Sequence, residues 1–329
     1  MTKVSVILPI YNETAYLPKC LDSVLNQTLQ DIEIILATDG PEDCDKICAD
    51  YAKNDNRIRI IFHPGSYGKA INQGIELAQG KYIGIVEADD WCDPVMFEKL
   101  YQAAEKYDND VTKAGFYCVQ KRKKNQKNFS LEMKFLTPDQ DGDFFSFQPS
   151  LWSAIYKTSF LREKHITFIE DCLSFIDTPF VLETFIKADR FMYLPDTLYF
   201  YNCNNPSASV KNLEKIEDPI IAERFFYNKI NSKIFLHIKK AYLAGLASRL
   251  KWNLDRIKID ENKARFWKIS HEYVKQMCIS EPDLSSFLDE GLKQLMIFLN
   301  KTDQYEIYKK AVYNKRDIKL FGFSVFRVE

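Results

Sequence analysis

Glycine and proline are few in this chain, 11 and 12 among 329 residues, which excludes a collagen-like repeat, a disordered linker and a low-complexity protein. A dominant charge is missing too. Lys and Arg total 45 against 46 for Asp and Glu, and the net charge of −1 gives no global argument for a nucleic-acid binder, so no nucleic-acid partner is expected. The eight cysteines (Cys20, Cys44, Cys48, Cys92, Cys118, Cys172, Cys203 and Cys278) form no C-x-x-C pair and no Cys/His spacing of a zinc site, so reduced thiols of a cytosolic protein are expected. No apolar run approaches the roughly 20 residues of a transmembrane helix. Met1-Thr2-Lys3 leads straight into a strand-like segment without a signal-peptide pattern, so the expected location is the cytoplasm, with contact to a membrane surface at most. Gly-x-Gly-x-x-Gly and Gly-x-x-x-x-Gly-Lys-Ser/Thr are absent, which argues against a dinucleotide-dependent dehydrogenase and a P-loop enzyme.

Apolar bulk is plentiful. Hydrophobic residues make up 46% and charged residues 28%, enough at this length for two compact domains or one with a large appendage. Val4 to Ile10 is a nearly continuous apolar run, the pattern of a strand buried on both faces of a parallel sheet. Leu17, Leu21, Val24 and Leu25 then recur at helical spacing, and Ile32 to Leu36 forms a second strand. Cys44, Ile47, Cys48 and Tyr51 line a helix, Ile58 to Phe62 is a third strand, Ala70, Ile71, Gly74, Ile75 and Ala78 line the next helix, and Tyr82 to Val86 is a fourth strand. Asp93-Pro94 reads as an N-cap and first-turn proline for a helix with Phe97, Leu100, Tyr101 and Ala104 inside. This alternation implies a parallel α/β sheet.

Ligands bind beyond the carboxyl ends of such strands, and the residues there are polar and aromatic: Pro9-Ile10-Tyr11-Asn12-Glu13, Thr38-Asp39-Gly40 and Glu87-Ala88-Asp89-Asp90-Trp91. Glu87, Asp89 and Asp90 would raise one another's pKa unless a cation neutralises them, and hard carboxylate oxygens suit Mg²⁺ or Mn²⁺, which can bridge a nucleoside diphosphate. A solvated loop whose acids cap the following helix is the plainer alternative. Gly65-Ser66-Tyr67-Gly68-Lys69 reads either as a weak phosphate loop or as a turn and helix start.

Together, V-S-V-I-L-P-I-Y-N-E, I-I-L-A-T-D-G, G-S-Y-G-K-A-I-N-Q-G-I and G-K-Y-I-G-I-V-E-A-D-D-W resemble, over residues 1 to 110, family 2 glycosyltransferases of the GT-A fold. P-S-L-W-S-A-I-Y-K-T-S-F-L, I-D-T-P-F and L-Y-F-Y-N-C-N-N-P-S-A-S-V extend the likeness to about Val210, toward bacterial capsule and lipooligosaccharide transferases. The resemblance implies a nucleotide-sugar-binding half at 1–115, an acceptor-binding half at 116–210 and a C-terminal helical region at 211–329 for membrane association or dimerisation. By the same resemblance Pro9, Tyr11, Asn12 and Glu13 surround the nucleobase and ribose, and Asp39 bonds the base. An aromatic ring stacks on a base and a carboxylate accepts the imide N–H of uracil, which favours a UDP-sugar. Lys69 and Asn72 face the diphosphate. The D-x-D position of the family falls on Glu87-Ala88-Asp89, with Asp89 the first ligand of Mn²⁺ or Mg²⁺ and Glu87 at ribose or metal; Glu87 stands where the family's motif has Asp.

Inverting transfer needs a base for the acceptor hydroxyl. The resemblance puts it at Asp177, with Glu170 and Asp171 as alternatives, and Ile176 stands where the family has an acid or amide. Asp177 is equally suited to cap the helix of Phe180, Val181, Phe185 and Ile186. Asp90, Trp91, Trp152 and Tyr156 are the acceptor candidates, the last two as a stacking platform or as core. Asn202, after Tyr199 and Tyr201, replaces a basic residue of related enzymes. The run Lys121-Arg122-Lys123-Lys124 with Lys127 reads as a solvated hairpin or as a contact for an anionic acceptor. Residues 224–268 combine excess basic charge with Phe225, Phe226, Tyr227, Phe235, Trp252, Phe266 and Trp267, either for anionic lipid or as a helical bundle, and Lys319 to Arg327 is a short apolar tail. The expected activity is inverting, metal-dependent transfer from a nucleotide-sugar to a lipid-linked bacterial surface glycan. A nucleotidyltransferase and a catalytically silent sugar-nucleotide or glycan binder are the alternatives.

Overall fold

The computed structural model describes residues 1–62, 64–120, 123–147, 149–170, 172, 174–205, 215–280, 283 and 290–313. Lys121, Arg122, Asp171, the stretch 206–210 and the tail 319–327 lie outside the described residues. The chain runs β1 (Val4–Ile10), α1 (Leu17–Leu25), β2 (Ile32–Thr38), α2 (Glu42–Asn54), β3 (Ile58–Phe62), α3 (Tyr67–Leu77), β4 (Tyr82–Ile85), β5 (Trp91–Cys92) and α4 (Met96–Tyr107). Then follow β6 (Val111–Gln120), β7 (Lys123–Lys127), β8 (Lys134–Leu136), a 3₁₀ turn (Gly142–Ser146), β9 (Ala154–Lys157), α5 (Thr158–Glu163), α6 (Asp177–Lys187) and β10 (Phe191–Asn202). A helical region closes the chain: α7 (Asp218–Lys229), α8 (Ser232–Arg256), α9 (Asp260–Gln276), α10 (Glu290–Lys301) and α11 (Tyr305–Tyr313).

The strands form one sheet in the order β3-β2-β1-β4-β9-β6-β10-β5, with β7 added to β6 and β8 to β10. β1 and β2 are buried along their whole length, which is why their sequences are continuously apolar rather than alternating. β1 pairs in parallel with β2 (Val4↔Ile32) and with β4 (Val4↔Tyr82). The sheet is mostly parallel, as expected of the fold, with β9 antiparallel between β4 and β6. From β1 the chain winds outward through β2 to β3 and returns on the opposite side of β1 as β4. In sheets of this kind ligands bind outside the carboxyl ends of the strands where the order reverses, here at β1 and β4.

Helix α4 starts at Met96, not at Pro94: Asp93 caps the turn before it, its Oδ1 accepting from Val95 N–H at 3.1 Å. The boundary expected at 115/116 falls inside β6, so the two halves share one sheet. The helical region packs on the same core. An added Cβ at Gly245 of α8 would lie 2.2 Å from the Phe145 carbonyl oxygen, so only glycine permits this approach. Arg249 bonds that carbonyl at 2.6 Å and pairs with buried Glu223, which also accepts from Tyr242 at 2.8 Å. Phe226, Phe235, Phe266 and Trp267 are buried in this bundle rather than turned to lipid, whereas Trp252 is half exposed. Among the described residues no helix is long and apolar enough to cross a membrane.

Candidate active site

Three strand ends and one helix start meet at this reversal. After β1 the chain turns through Tyr11, 69% exposed, and exposed Asn12, and Glu13 folds back so that its Oε2 accepts the N–H groups of both at 2.7 Å. Burial raises the Glu13 pKa, and the charge of Asp89 adds to the rise. After β2, the N–H of Asp39 bonds the Ile10 carbonyl at 2.9 Å, joining the two loops. Pro9 is buried within β1 beside Ala37.

After β4 comes the acidic loop 87–90. Tyr67, in the first turn of α3, donates its hydroxyl to Glu87 Oε1. From behind, the end of β10 fastens the same loop: the Glu87 N–H donates to Tyr199 Oη at 3.0 Å, the Asn202 N–H to Asp90 Oδ1 at 2.7 Å, and the Asn205 amide to Asp89 Oδ2 at 2.7 Å. Burial pushes Glu87 up to about 8, with the charges of Asp89, Asp177 and Glu13 adding to it and the Tyr67 hydroxyl opposing it. Ala88 is buried and serves as the spacer between the two acids.

Asp177 begins α6, and its Oδ1 accepts the N–H of Thr178 at 2.8 Å, so it acts in the first helical turn rather than as the cap residue, which is Ile176. Burial lifts Asp177 to about 6, held back by those backbone N–H groups and by Lys113. Lys113 is 1% exposed in β6 and donates to Ser150 O at 2.6 Å, Ser150 Oγ at 2.9 Å, Trp152 O at 3.1 Å and Ser153 Oγ at 3.3 Å. Burial lowers it to about 7, and the charge of Asp177 works against that fall. Asp177 also acts on Tyr67, Tyr156 and Tyr201, so base candidate and acidic loop share one electrostatic neighbourhood.

Several candidates fall elsewhere. Asp90 is 1% exposed and given over to Asn202, so it is not an acceptor contact. Trp152 and Tyr156 are core, not a platform: Trp152 stacks on Tyr199 at 4.5 Å and meets Phe116 edge-on at 4.6 Å, and the Tyr156 hydroxyl is spent on Leu151 O at 2.7 Å. Trp91 stacks on Phe200 at 5.5 Å and is partly exposed. Lys69 is exposed, its N–H received by the capping Ser66 Oγ at 3.2 Å. The Asn72 side chain bonds Phe168 N–H at 2.8 Å, Phe168 O at 3.1 Å and Glu170 Oε1 at 2.9 Å, pinning the 168–170 loop to α3. Glu170 is exposed and tied to Asn72. From the sequence alone Tyr67, Lys113, Tyr199 and Asn205 had no role at the site. Tyr67 lies in the G-S-Y-G-K stretch and Tyr199 in L-Y-F-Y, and Lys113 left its own signal, a charge inside the buried run V-T-K-A-G-F.

Among the described residues no three His, Cys, Asp or Glu side chains form a metal cage by themselves. The oxygen donors nevertheless fit a hard divalent cation: Glu13, Glu87, Asp89 and Asp177 crowd negative charge, and Mg²⁺-type ions take one or two carboxylates and complete their shell with phosphate and water.

The family model described as Glycosyl transferase family 2 matches residues 5–168. The chain is 36% identical over 223 residues to the uncharacterized glycosyltransferase EpsJ of Bacillus subtilis (strain 168), covering 62% of each, so it spans less than two thirds of that relative. It is 31% identical over 214 residues to glycosyltransferase GlyG of Streptococcus pneumoniae serotype 4, covering 60% of this chain and 70% of GlyG. A crystal structure of S. aureus TarS 1–349 in complex with UDP-GlcNAc superposes with a TM-score of 0.82 over 98% of this chain and 94% of that one at 18% identity, a likeness of fold. The GT-A architecture and the match to GlyG over more than two thirds of its length settle the membership: this protein belongs to glycosyltransferase family 2.

Proposed function

We propose that the protein transfers one sugar, with inversion, from a UDP-sugar to a growing lipid-linked bacterial surface polysaccharide. The observation that carries the reading is the convergence of Glu87, Asp89 and Asp177 at the sheet reversal, within one another's electrostatic reach. The TarS complexes with UDP-GlcNAc and with UDP support the choice of nucleotide. Tyr11, exposed at the rim, stacks on the base, and Asn12, Glu13 and Asp39 border base and ribose. The backbone of the strand at Pro9 and the spacer Ala88 shape the floor, and Lys69 neutralises diphosphate charge.

Asp177 takes the proton of the acceptor hydroxyl. A carboxyl at about 6 is ionised at neutral pH yet more basic than an ordinary aspartate, which suits a general base. Asp89, with Glu87 beside it, would hold Mn²⁺ or Mg²⁺, which when bound supplies positive charge to the leaving diphosphate. The Tyr67 hydroxyl and the end of β10 keep those two acids in place. Reaction at the cytoplasmic face of the membrane suits a lipid-linked acceptor, with the basic helical region toward the lipid.

The test is thermal stabilisation of the purified protein by UDP, GDP, CDP and dTDP with and without Mn²⁺, for the natural sequence and Asp89→Ala. A Mn²⁺-dependent shift with UDP that is lost in Asp89→Ala is expected, together with UDP release from UDP-sugars that is lost in Asp177→Asn. Stabilisation by UDP without any turnover would instead favour a silent sugar-nucleotide binder. No shift with any nucleotide would refute the donor site.

A further inference from the structure

Phe175, two residues before Asp177, has φ 62°, in the left-handed region that L side chains rarely adopt. Such a conformation persists only where its surroundings over-determine it. Helices α7 and α8 supply those surroundings. Asp218, buried at the start of α7, accepts both the backbone N–H and the hydroxyl of Ser174 on Oδ2, each at 3.0 Å. The Cys172 thiol donates to Ser174 O at 3.0 Å from the other side of the turn. The Phe175 ring meets Trp252 of α8 edge-on with centroids 6.0 Å apart, and the Arg256 guanidinium lies 4.8 Å from the Phe175 ring and 5.3 Å from the Trp252 ring. Arg256 is itself held by Asn253 Oδ1 at 2.8 Å and feels the charge of Asp218. The first turn of α6 then rests on the strained residue, because the Thr178 N–H donates to Phe175 O at 3.3 Å.

We propose that Asp218, Phe175, Trp252 and Arg256 are positioning residues: a clamp through which the C-terminal helices hold the turn 174–176 and so aim the Asp177 carboxylate at the acceptor hydroxyl. The inference rests on Asp177 being the base. It assigns the helical region a part in catalysis separate from any contact with lipid or a second copy. A carboxylate misplaced by about 1 Å loses rate on the order of a hundredfold, so the clamp acts on kcat rather than on nucleotide binding.

The experiment measures UDP release from UDP-GlcNAc, and UDP affinity by calorimetry, for the full chain, Asp218→Ala, Phe175→Gly, Asp177→Asn and the double variant Asp177→Asn/Asp218→Ala. Glycine adopts the left-handed conformation without strain, so Phe175→Gly keeps the fold while removing the ring contacts, and it decides the matter if Asp218→Ala does not fold. The expected result is a ten- to hundredfold fall in kcat for both single variants, with KM and UDP affinity within twofold of the natural sequence. The double variant should be no slower than Asp177→Asn alone, since the clamp works only through that carboxylate. Wild-type kcat in folded Phe175→Gly or Asp218→Ala overturns the clamp, as does a parallel loss of kcat and UDP affinity. A kcat in Asp177→Asn within tenfold of the natural sequence overturns the base assignment, and absence of UDP release from the natural sequence overturns the donor reading; either takes the clamp with it.

Discussion

Replacing Glu87 with Gln is expected to stabilise the ligand-free protein while disabling it. Burial holds the Glu87 carboxyl at about 8 against an ordinary 4.5, and the charges of Asp89, Asp177 and Glu13 act in the same direction. An acid whose pKa is raised by folding binds its proton more tightly in the folded state, so its stabilising contribution is full below 4.5 and is lost as the pH climbs to about 8. Each unit corresponds to about 1.4 kcal/mol, so the interval from 4.5 to neutrality amounts to about 3.4 kcal/mol. Because Glu87 is partly exposed, solvent screening leaves about 2 kcal/mol at pH 7. The amide keeps an acceptor for the Tyr67 hydroxyl and removes the charge, so Glu87→Gln should melt roughly 3 °C higher at pH 7 to 8. The assay is the melting temperature of both proteins from pH 5 to pH 9 without nucleotide or metal. The two curves should nearly meet at the acid end and separate toward pH 8. Parallel curves, or a natural sequence that gains on the variant as pH rises, would refute the reasoning.

Asp177→Asn should cut kcat by roughly 10²- to 10⁴-fold with UDP affinity unchanged, and should abolish the acid limb near pH 6 that kcat/KM of the natural sequence is expected to show. Lys113, lowered by burial to about 7, binds its proton less tightly folded than unfolded, so stability should rise with pH from about 7 toward 10. Lys113→Met should abolish that rise, read by urea titration at about pH 7 and about pH 10, and leave the Ser150 and Trp152 oxygens without their donor. Trp152→Leu should cost about 3 kcal/mol in the same titration as a core change, with the ratio of kcat/KM between any two acceptors unaltered. In Gly68→Ala the new Cβ would lie 2.0 Å from the Ile169 carbonyl oxygen, and the forced shift should cost about 2 kcal/mol by urea titration.

The first 110 residues were legible because their signals are local. A run such as V-S-V-I-L-P-I needs two buried faces, the helices between strands show their apolar stripes, and the acids at the strand ends stand out against that background. Asp177 was legible by resemblance, and the structure brings it to the acidic loop. The rest depends on long-range packing. Nothing in P-S-L-W-S-A-I-Y distinguishes an exposed platform from a core tryptophan until β10 supplies Tyr199 to stack on it. Asp90 reads as a third acid of the loop, and only its pairing with the Asn202 N–H, 112 residues away, takes it out of solvent. The antiparallel β9 escaped for a similar reason, since A-I-Y-K is too short to declare its direction. The strained Phe175 carries no compositional mark, because the residues that hold it come from helices beyond position 217.

The end of β10 ties down the acidic loop through Tyr199, Asn202 and Asn205. The acids of this loop are thus moored to the strand that comes last in the sheet along the chain. During synthesis the loop stays untied until residue 205 has left the ribosome. An amino-terminal fragment ending before β10 would keep its alternating strands and helices and still lack the groups that fix the acidic loop. In recombination between family members, the acidic loop and β10 would have to travel together, which makes the seam after β10, rather than the one at β6, the natural place to exchange parts.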